Sequence, residues 1–310
     1  MIRLTSSQPI PAPLRGAILA LGNFDGFHLG HQAVVGEALA WARAEGRPCI
    51  VATFAPHPVE FFAPGGPPFR LTSLDQREAL FAAAGADAML VFEFDAAMAA
   101  TSPHDWVHAV LARQLGVAGV VTGEDFTFGK GRAGTTATFR DLGAEVGMGA
   151  RAVAPVREGG EIVSSSRIRR ALAEGDIAAA TRLLTRPFAV RAPVQHGDKL
   201  GRTIGFPTAN LDMGDYLRPA YGIYAVTARL ADGRLVQGAA NLGIRPHFTP
   251  PKELLEPHFF DFAGDLYGQT IEVAFHAFLR PEAKFDSLDA LTAQIGRDCA
   301  AAREILAQAL

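Results

Sequence analysis

Short runs of apolar residues alternate with amphipathic stretches over the first 185 or so positions: Ala17–Leu21, Gln32–Glu45, Cys49–Phe54, Leu74–Ala84, Ala88–Phe92 and Gly116–Thr122. Apolar runs this short, separated by segments with helical spacing, predict βαβ units around a buried parallel sheet. Helix starts fit the same register. Ser73-Leu-Asp-Gln76 has the form of a capping box, and Ser102-Pro103 places a cap before a proline at the first helical position. From about Phe188 the texture changes to short strand-like runs broken by Gly, Pro and Asp, among them Tyr221–Leu230, Leu235–Ala240 and Thr270–Phe278. These predict a small antiparallel barrel. A closing helix follows, with Leu288, Leu291, Ile295, Cys299, Ala302 and Ile305 at spacings of three or four. Thr185-Arg-Pro-Phe188 is the expected hinge, giving domains of residues 1–186 and 187–310 with no internal repeat or low-complexity tract.

Composition narrows the classes. A chain of 310 residues exceeds the usual size of one core, and 49% hydrophobic with 20% charged residues is ordinary for a folded protein. The net charge of −3 argues against a surface that neutralises many phosphates of a long nucleic acid, while a small phosphorylated ligand needs only local donors. Cys49 and Cys299 match no metal or disulfide spacing, which fits a reducing cytoplasm. The first apolar run is too short for a membrane span, so no membrane role is expected. The oligomeric state stays open.

The first chemical constellation is Gly22-Asn-Phe-Asp-Gly-Phe-His-Leu-Gly-His31, between the first buried strand and a helix start. Glycines admit a ligand close to the backbone, and free amides at a helix N-terminus favour an anion. His28 and His31, three apart in the first turn, are placed to donate to a phosphoryl group that gains charge in a transition state. Further along, Thr53-Phe-Ala-Pro-His-Pro58 has prolines that would shape a loop over a ligand. Gly123-Glu-Asp-Phe-Thr-Phe-Gly-Lys-Gly-Arg-Ala-Gly134 sets aromatics among glycines after a buried strand, and Ser164-Ser-Ser-Arg-Ile-Arg169 offers hydroxyls and an arginine fork at a helix start.

The His-x-Gly-His string resembles the nucleotidyltransferase superfamily, and Gly-Asn-Phe-Asp-Gly before it is similar to bacterial bifunctional riboflavin kinase/FAD synthetases. That resemblance implies an α/β nucleotidyltransferase domain with a Rossmann-like parallel sheet, followed by a small antiparallel β-barrel domain with a C-terminal helix. It implies adenylyl transfer from ATP to FMN, with FAD and pyrophosphate as products. His28 and His31 would act at the α-phosphate. Gly22, Phe24, Asp25 and Gly26 would bind ATP, and Ser164, Ser165, Arg167 and Arg169 its leaving phosphates. Asp125, Phe126 and Phe128 would face the flavin.

The second constellation is His196-Gly-Asp-Lys-Leu-Gly-Arg-Thr-Ile-Gly-Phe-Pro-Thr-Ala-Asn210, dense in loop formers yet charged, and without a Walker loop. Thr208 and Asn210 alternate on one face of an extended segment and can aim oxygens at Mg2+. The string resembles the riboflavin kinase Pro-Thr-Ala-Asn motif, which implies ATP binding by Gly201, Gly205, Pro207, Thr208 and Asn210 and metal binding by Thr208 and Asn210. Asn241-Leu-Gly-Ile-Arg-Pro246 and Leu255-Glu-Pro-His-Phe-Phe-Asp-Phe262 continue the resemblance. On residues alone Glu256 is a solvated strand glutamate; the resemblance makes it the base for phosphorylation of riboflavin. Ile244 stands where Thr is common and Pro257 where Val is usual, and a proline there predicts an edge or a bulge. Two other readings compete: a flavin-binding module beside one working enzyme, and a nucleotidyltransferase for another phosphate ester.

Overall fold

A computed structural model describes residues 1–197, 201, 204–245 and 252–309. The chain divides into two compact units, Met1–Pro67 with Leu74–Ser164, and Pro68–Ser73 with Ser165–Leu310.

In the first unit, β1 (Ile2–Thr5), β2 (Ile18–Leu21), β3 (Cys49–Ala55), β4 (Ala88–Glu93), β5 (Gly119–Gly123) and β6 (Gly149–Val153) form one parallel sheet in the order β1-β4-β3-β2-β5-β6. Helices α1 (Leu29–Glu45), α2 (Pro58–Phe62), α3 (Leu74–Ala84), α4 (Ala96–Ala100), α5 (Pro103–Asp105) and α6 (Thr136–Glu145) connect them, α5 runs on as a π-helical stretch, Trp106–Leu115, and a separate antiparallel pair, β7 (Arg157–Glu158) and β8 (Glu161–Ile162), follows β6. All of β2 is buried, because Leu19 and Leu21 feed the apolar layer on one face and Ile18 and Ala20 the layer on the other. That is why the strand reads as an unbroken apolar run. Ser102 caps α5 as its sequence predicts, accepting from Asp105 N at 3.0 Å. One strand is shorter than predicted. Gly116 lies in left-handed backbone as the cap of the π-helical stretch and donates back to Leu111, so β5 begins only at Gly119.

The order places a topological switch between β2 and β5. From β2 the chain moves outward through β3 and β4, then returns past β2 to β5. Ligands of open α/β sheets bind outside the carboxyl ends of the strands at such a point. Both the 22–28 loop after β2 and the 123–134 loop after β5 emerge there.

In the second unit, α7 (Ser165–Ala173) and α8 (Ile177–Leu184) precede a closed antiparallel barrel. Its strands are β9 (Phe188–Gln195), β10 (Asn210–Asp212), β11 (Gly222–Arg229), β12 (Leu235–Arg245), β13 (Lys252–Phe259) and β14 (Thr270–Pro281), in the order β10-β13-β12-β11-β14-β9. Phe188, Val190, Ala192 and Val194 alternate inward along β9. The C-terminal helix, α9 (Leu288–Ala309), lays Ala302 and Leu306 on Ala225 and Ala239 outside the barrel. The predicted stripe shifts in two places: Leu288 is 60% exposed at the helix start, and Leu306 is fully buried where Ile305 is not. Between them Asp298 is buried, held by Arg280 of β14 through bonds of 2.6 to 3.1 Å and by Gln294. A polar anchor at that turn replaces apolar packing and rotates the buried face.

Candidate active sites

The 22–28 loop is wound more tightly than its glycines require. Phe24 and Phe27 both take positive φ, 49° and 41°, a conformation that costs about 1 to 3 kcal/mol for a side chain of this kind. The surroundings enforce it. Both rings are buried edge-on against Phe81 of α3, and buried Arg77 of α3 donates to Asn23 O at 3.0 Å and to Thr53 Oγ1 at 2.7 Å. Thr53 itself donates to the same carbonyl at 2.8 Å. Phe24, expected at the nucleotide, therefore has only backbone to offer a ligand, while Asp25 is buried within the loop.

His28 is the N-cap of α1: its Nδ1 accepts from His31 N at 3.3 Å. A neutral ring that accepts at Nδ1 carries its proton on Nε2, so the cap sets His28 as an Nε2 donor. The His31 ring stacks on it at 3.6 Å and 18°, and also meets Phe24 edge-on at 5.3 Å. The two histidines expected to share a face are thus parallel rings at the positive end of a 17-residue helix. Gly30 makes the stack fit, since a Cβ there would lie 3.2 Å from His28 Cε1.

The 123–134 loop closes on itself: Phe128 N donates to Gly134 O at 3.0 Å and Gly134 N returns to Phe128 O at 2.9 Å. Asp125 is exposed and Phe126 half-buried, whereas Phe128 is buried with its ring 3.8 Å from Phe139 of α6. Of the three expected flavin contacts, Phe128 is the one turned into the core. An aromatic surface that the sequence motifs did not pick out stands at the ends of β3 and β4. Phe61, Phe62 and Phe94 meet within 5.8 Å of one another, and Phe62 is 69% exposed. His57 shapes it by capping α2, accepting from Val59 N while its own N–H bonds Glu60. The adjacent Phe61-Phe62 pair after the His-Pro turn was the available signal.

Ser164 ends the first unit and Ser165 opens α7 in the second. Arg167 is half-buried, and Arg169 donates from Nε to Phe69 O at 2.8 Å while lying over the Phe69 ring.

In the barrel, Leu211, Leu255 and Leu242 oppose one another on β10, β13 and β12 and are fully buried inside. The next row therefore points outward: Glu256 faces Asn241 across β12, and the same register sets Asn210 on its other side. Asn241 Oδ1 is buried and meets no hydrogen-bond partner among the described residues. Its sequence motif gives Asn241 no role; only the strand register brings it beside Glu256. The approach to this row is crowded, because a Cβ at Gly197 would lie 2.5 Å from Asn210 Nδ2. Phe206 to Ala209 are strapped across β13: Ala209 N donates to Pro257 O at 2.9 Å, and His258 Nδ1 lies 2.8 Å from Pro207 O. Gly201 O accepts from Ile204 N and Phe206 N, Gly205 is exposed and Thr208 half-buried. Asp198, Lys199, Leu200, Arg202, Thr203 and Pro246 of the two barrel motifs lie outside the described residues.

Pro257 causes no bulge against β12, where the register runs unbroken. Its missing N–H faces the β10 side, beyond the point where that short strand pairs, so the edge expectation holds locally. Ile244 is 44% exposed. Three residues from Glu256, Glu253 bonds Arg218 at 2.6 Å and accepts from Tyr221. Burial pushes the Glu253 carboxyl up, but the Tyr221 hydroxyl and the Arg218 guanidinium outweigh it and hold the group below its usual range. Burial and the same contact push Tyr221 up to about 12.

The family model for FAD synthetase matches residues 10–167 and that for riboflavin kinase residues 184–306. A relative from Escherichia coli (strain K12) named bifunctional riboflavin kinase/FMN adenylyltransferase is 40% identical over 94% of each chain, and its namesake from Bacillus subtilis (strain 168) 37% identical over 91% of this chain and 90% of that one. A solved structure described as a macrolide-efflux protein from Streptococcus pneumoniae superposes with TM-score 0.86 at 29% identity, covering 96% of this chain and 97% of that one. Among the described residues no helix is long and apolar enough to cross a membrane. With both halves matched in order and relatives aligned nearly end to end, this chain belongs to the bifunctional riboflavin kinase/FMN adenylyltransferase family.

Proposed function

We propose that residues 187–310 phosphorylate riboflavin to FMN and that residues 1–186 adenylylate FMN to FAD, with the chemistry divided by the nucleophile each step uses. The observation that carries the first unit is the capped, stacked His28–His31 pair at the sheet's switch point. An FMN phosphate oxygen attacks the α-phosphorus of ATP and the bond to the β-phosphate oxygen breaks, releasing pyrophosphate. His28 and His31 donate to the α-phosphate oxygens as charge grows, worth about 100- to 1,000-fold in rate for one well-aimed donor. The sequence resemblance assigns the leaving pyrophosphate to Ser164, Ser165, Arg167 and Arg169, and the nucleotide to the backbone from Gly22 to Gly26. The cluster of exposed Phe62 with half-buried Phe61 and Phe94, together with Phe126 and Asp125, suits an isoalloxazine edge and face.

In the barrel, the riboflavin 5′-hydroxyl attacks the γ-phosphorus, Glu256 accepts its proton, and ADP leaves. Gly201, Gly205 and Pro207 cover the ATP phosphates. Thr208 and Asn210 hold Mg2+: a hydroxyl and an amide oxygen beside a carboxylate form a hard oxygen donor set of the kind this ion selects. When bound, the ion neutralises phosphate charge. Small-molecule substrates account for the whole reading, which involves no nucleic acid or membrane partner and a cytoplasmic setting.

Purified protein given riboflavin, ATP and Mg2+ is expected to yield FMN and then FAD by chromatography. In His31→Ala, FAD formation from FMN is lost while FMN formation persists; Glu256→Ala does the reverse. FMN accumulating without FAD in the parent protein, or both steps lost in either folded variant, would refute the assignment.

A further inference from the structure

Outside both candidate sites, one cluster on the first unit has the chemistry of a metal centre. His104 of α5, His108 four residues on in the π-helical stretch, and Glu145 at the end of α6 each offer a ligand atom, and the three atoms lie within 4.8 Å of one another. The imidazole rings are parallel, with centroids 4.1 Å apart. His108 Nε2 sits 3.1 Å from Glu145 Oε2, yet the approach lies off the N–H direction; this buried nitrogen makes no directed hydrogen bond among the described residues. A buried ring nitrogen and a carboxylate oxygen in contact without a hydrogen bond are placed as two ligands facing a shared cation would be.

An orienting shell is also present. His104 Nδ1 lies 3.4 Å from Asp105 Oδ1, and Ser102 Oγ donates to Asp105 Oδ2 at 2.8 Å. A carboxylate behind an imidazole fixes the ring and directs its other nitrogen to a metal. Imidazoles on successive turns, with a carboxylate brought in from a second helix, give two nitrogens and one oxygen once the rings turn out of their stack so that both in-plane lone pairs converge on one ion. That donor set suits a borderline divalent ion and disfavours Mg2+, which requires oxygen ligands.

We propose that His104, His108 and Glu145 form a binding site for a divalent cation of the zinc class. The bound ion cross-links the end of α6 to the helix that starts at Pro103. Both elements brace the 123–134 loop: Phe139 of α6 stacks on Phe128, and a Cβ at Gly129 would lie 2.9 Å from Pro103. Ion binding therefore raises the melting temperature of the first unit.

The test titrates the full chain with Zn2+ by calorimetry and with Co2+ by visible absorption, in buffer holding millimolar Mg2+. Because His28 and His31 are a second imidazole pair, single-site variants decide the outcome. His104→Ala and Glu145→Gln are each expected to weaken the titratable site at least 10-fold, abolish the Zn2+-dependent rise in melting temperature, and leave FAD synthesis in Mg2+ alone unchanged; that activity also confirms folding. Wild-type affinity in both variants, or no Zn2+ binding by the parent chain at millimolar concentration, overturns the proposal.

Discussion

Replacing Gly30 with alanine separates the placement of the His28 ring from the stability of the helix it caps. A Cβ at this second residue of α1 would lie 3.2 Å from His28 Cε1, 3.3 Å from Nδ1 and 3.5 Å from Val163 O. Carbon atoms prefer separations of about 3.5 to 4.0 Å, so the ring must retreat by a few tenths of an ångström. It has no free direction in which to do so. Its Nδ1 holds the 3.3 Å cap bond, and its face lies 3.6 Å from His31. The energies nearly cancel: alanine gains up to about 1 kcal/mol over glycine in a helix, and weakening the cap costs about as much. Melting temperature should change by less than about 4 °C, the shift that 1 kcal/mol gives a domain of this size. Catalysis has no such offset. A donor displaced by about 1 Å loses roughly 100-fold in rate, so about 0.3 Å predicts a loss of about 4-fold. Steady-state FAD formation from FMN measures it, with FMN formation from riboflavin in the same preparation as the internal reference. FAD synthesis within twofold of the parent, or both activities falling together, refutes the reasoning.

Other substitutions test other joints. Gly197→Ala sets a methyl 2.5 Å from Asn210 Nδ2 and should cut FMN formation at least 10-fold while sparing FAD formation from FMN, read by the same chromatography. Arg280→Met leaves Asp298 buried without its guanidinium and should lower stability by about 3 kcal/mol, visible as a fall in the urea midpoint of the barrel transition. Glu253→Gln tests a pH dependence of known sign. Because Tyr221 and Arg218 hold this carboxyl below its unfolded value, its stabilisation is present above about pH 4.5 and is lost as the pH falls through the folded pKa, so urea midpoints between pH 7 and 4 should decline less in the variant than in the parent. Parallel curves would show that the Glu253 contacts contribute nothing measurable.

The buried strands were legible because a central parallel strand is covered on both faces, so β2 and β3 appear as continuous apolar runs in any reading of the chain. The barrel was legible from its turns, and the loops from their glycines and histidines. What escaped depends on pairings across long sequence distances. Phe61 and Phe62 meet Phe94 only because β3 and β4 are neighbours, and Asn241 reaches Glu256 only through the β12–β13 register. Nor does a glycine-rich loop announce which aromatic turns inward: Phe128 is buried because Phe139, eleven residues on, stacks against it. In α9 the apolar spacing was right as far as it went, but the Arg280–Asp298 anchor takes a core position that a hydrophobic count cannot see.

The two proposed sites solve different problems, and the protonation of the nucleophile decides which groups each needs. A phosphate monoester has its second pKa near 6, so the FMN phosphate arrives ionised, and a site of donors alone suffices. In the proposed mechanism the capped His28 is such a donor: its Nδ1 accepts from His31 N, so a neutral ring carries its proton on Nε2. Riboflavin's hydroxyl holds its proton at neutral pH and needs an acceptor. Strand β13 shows what distinguishes an acceptor from an anchor. Glu253 has a guanidinium and a phenol on its oxygens, which stabilise the carboxylate and weaken it as a base. Glu256, three residues on, has amides as its cross-strand neighbours, Asn241 and, by register, Asn210. An amide can orient a carboxylate by hydrogen bonding. In the proposed mechanism, asparagine on both flanks by register would orient Glu256 toward the hydroxyl whose proton it takes as the phosphoryl group transfers.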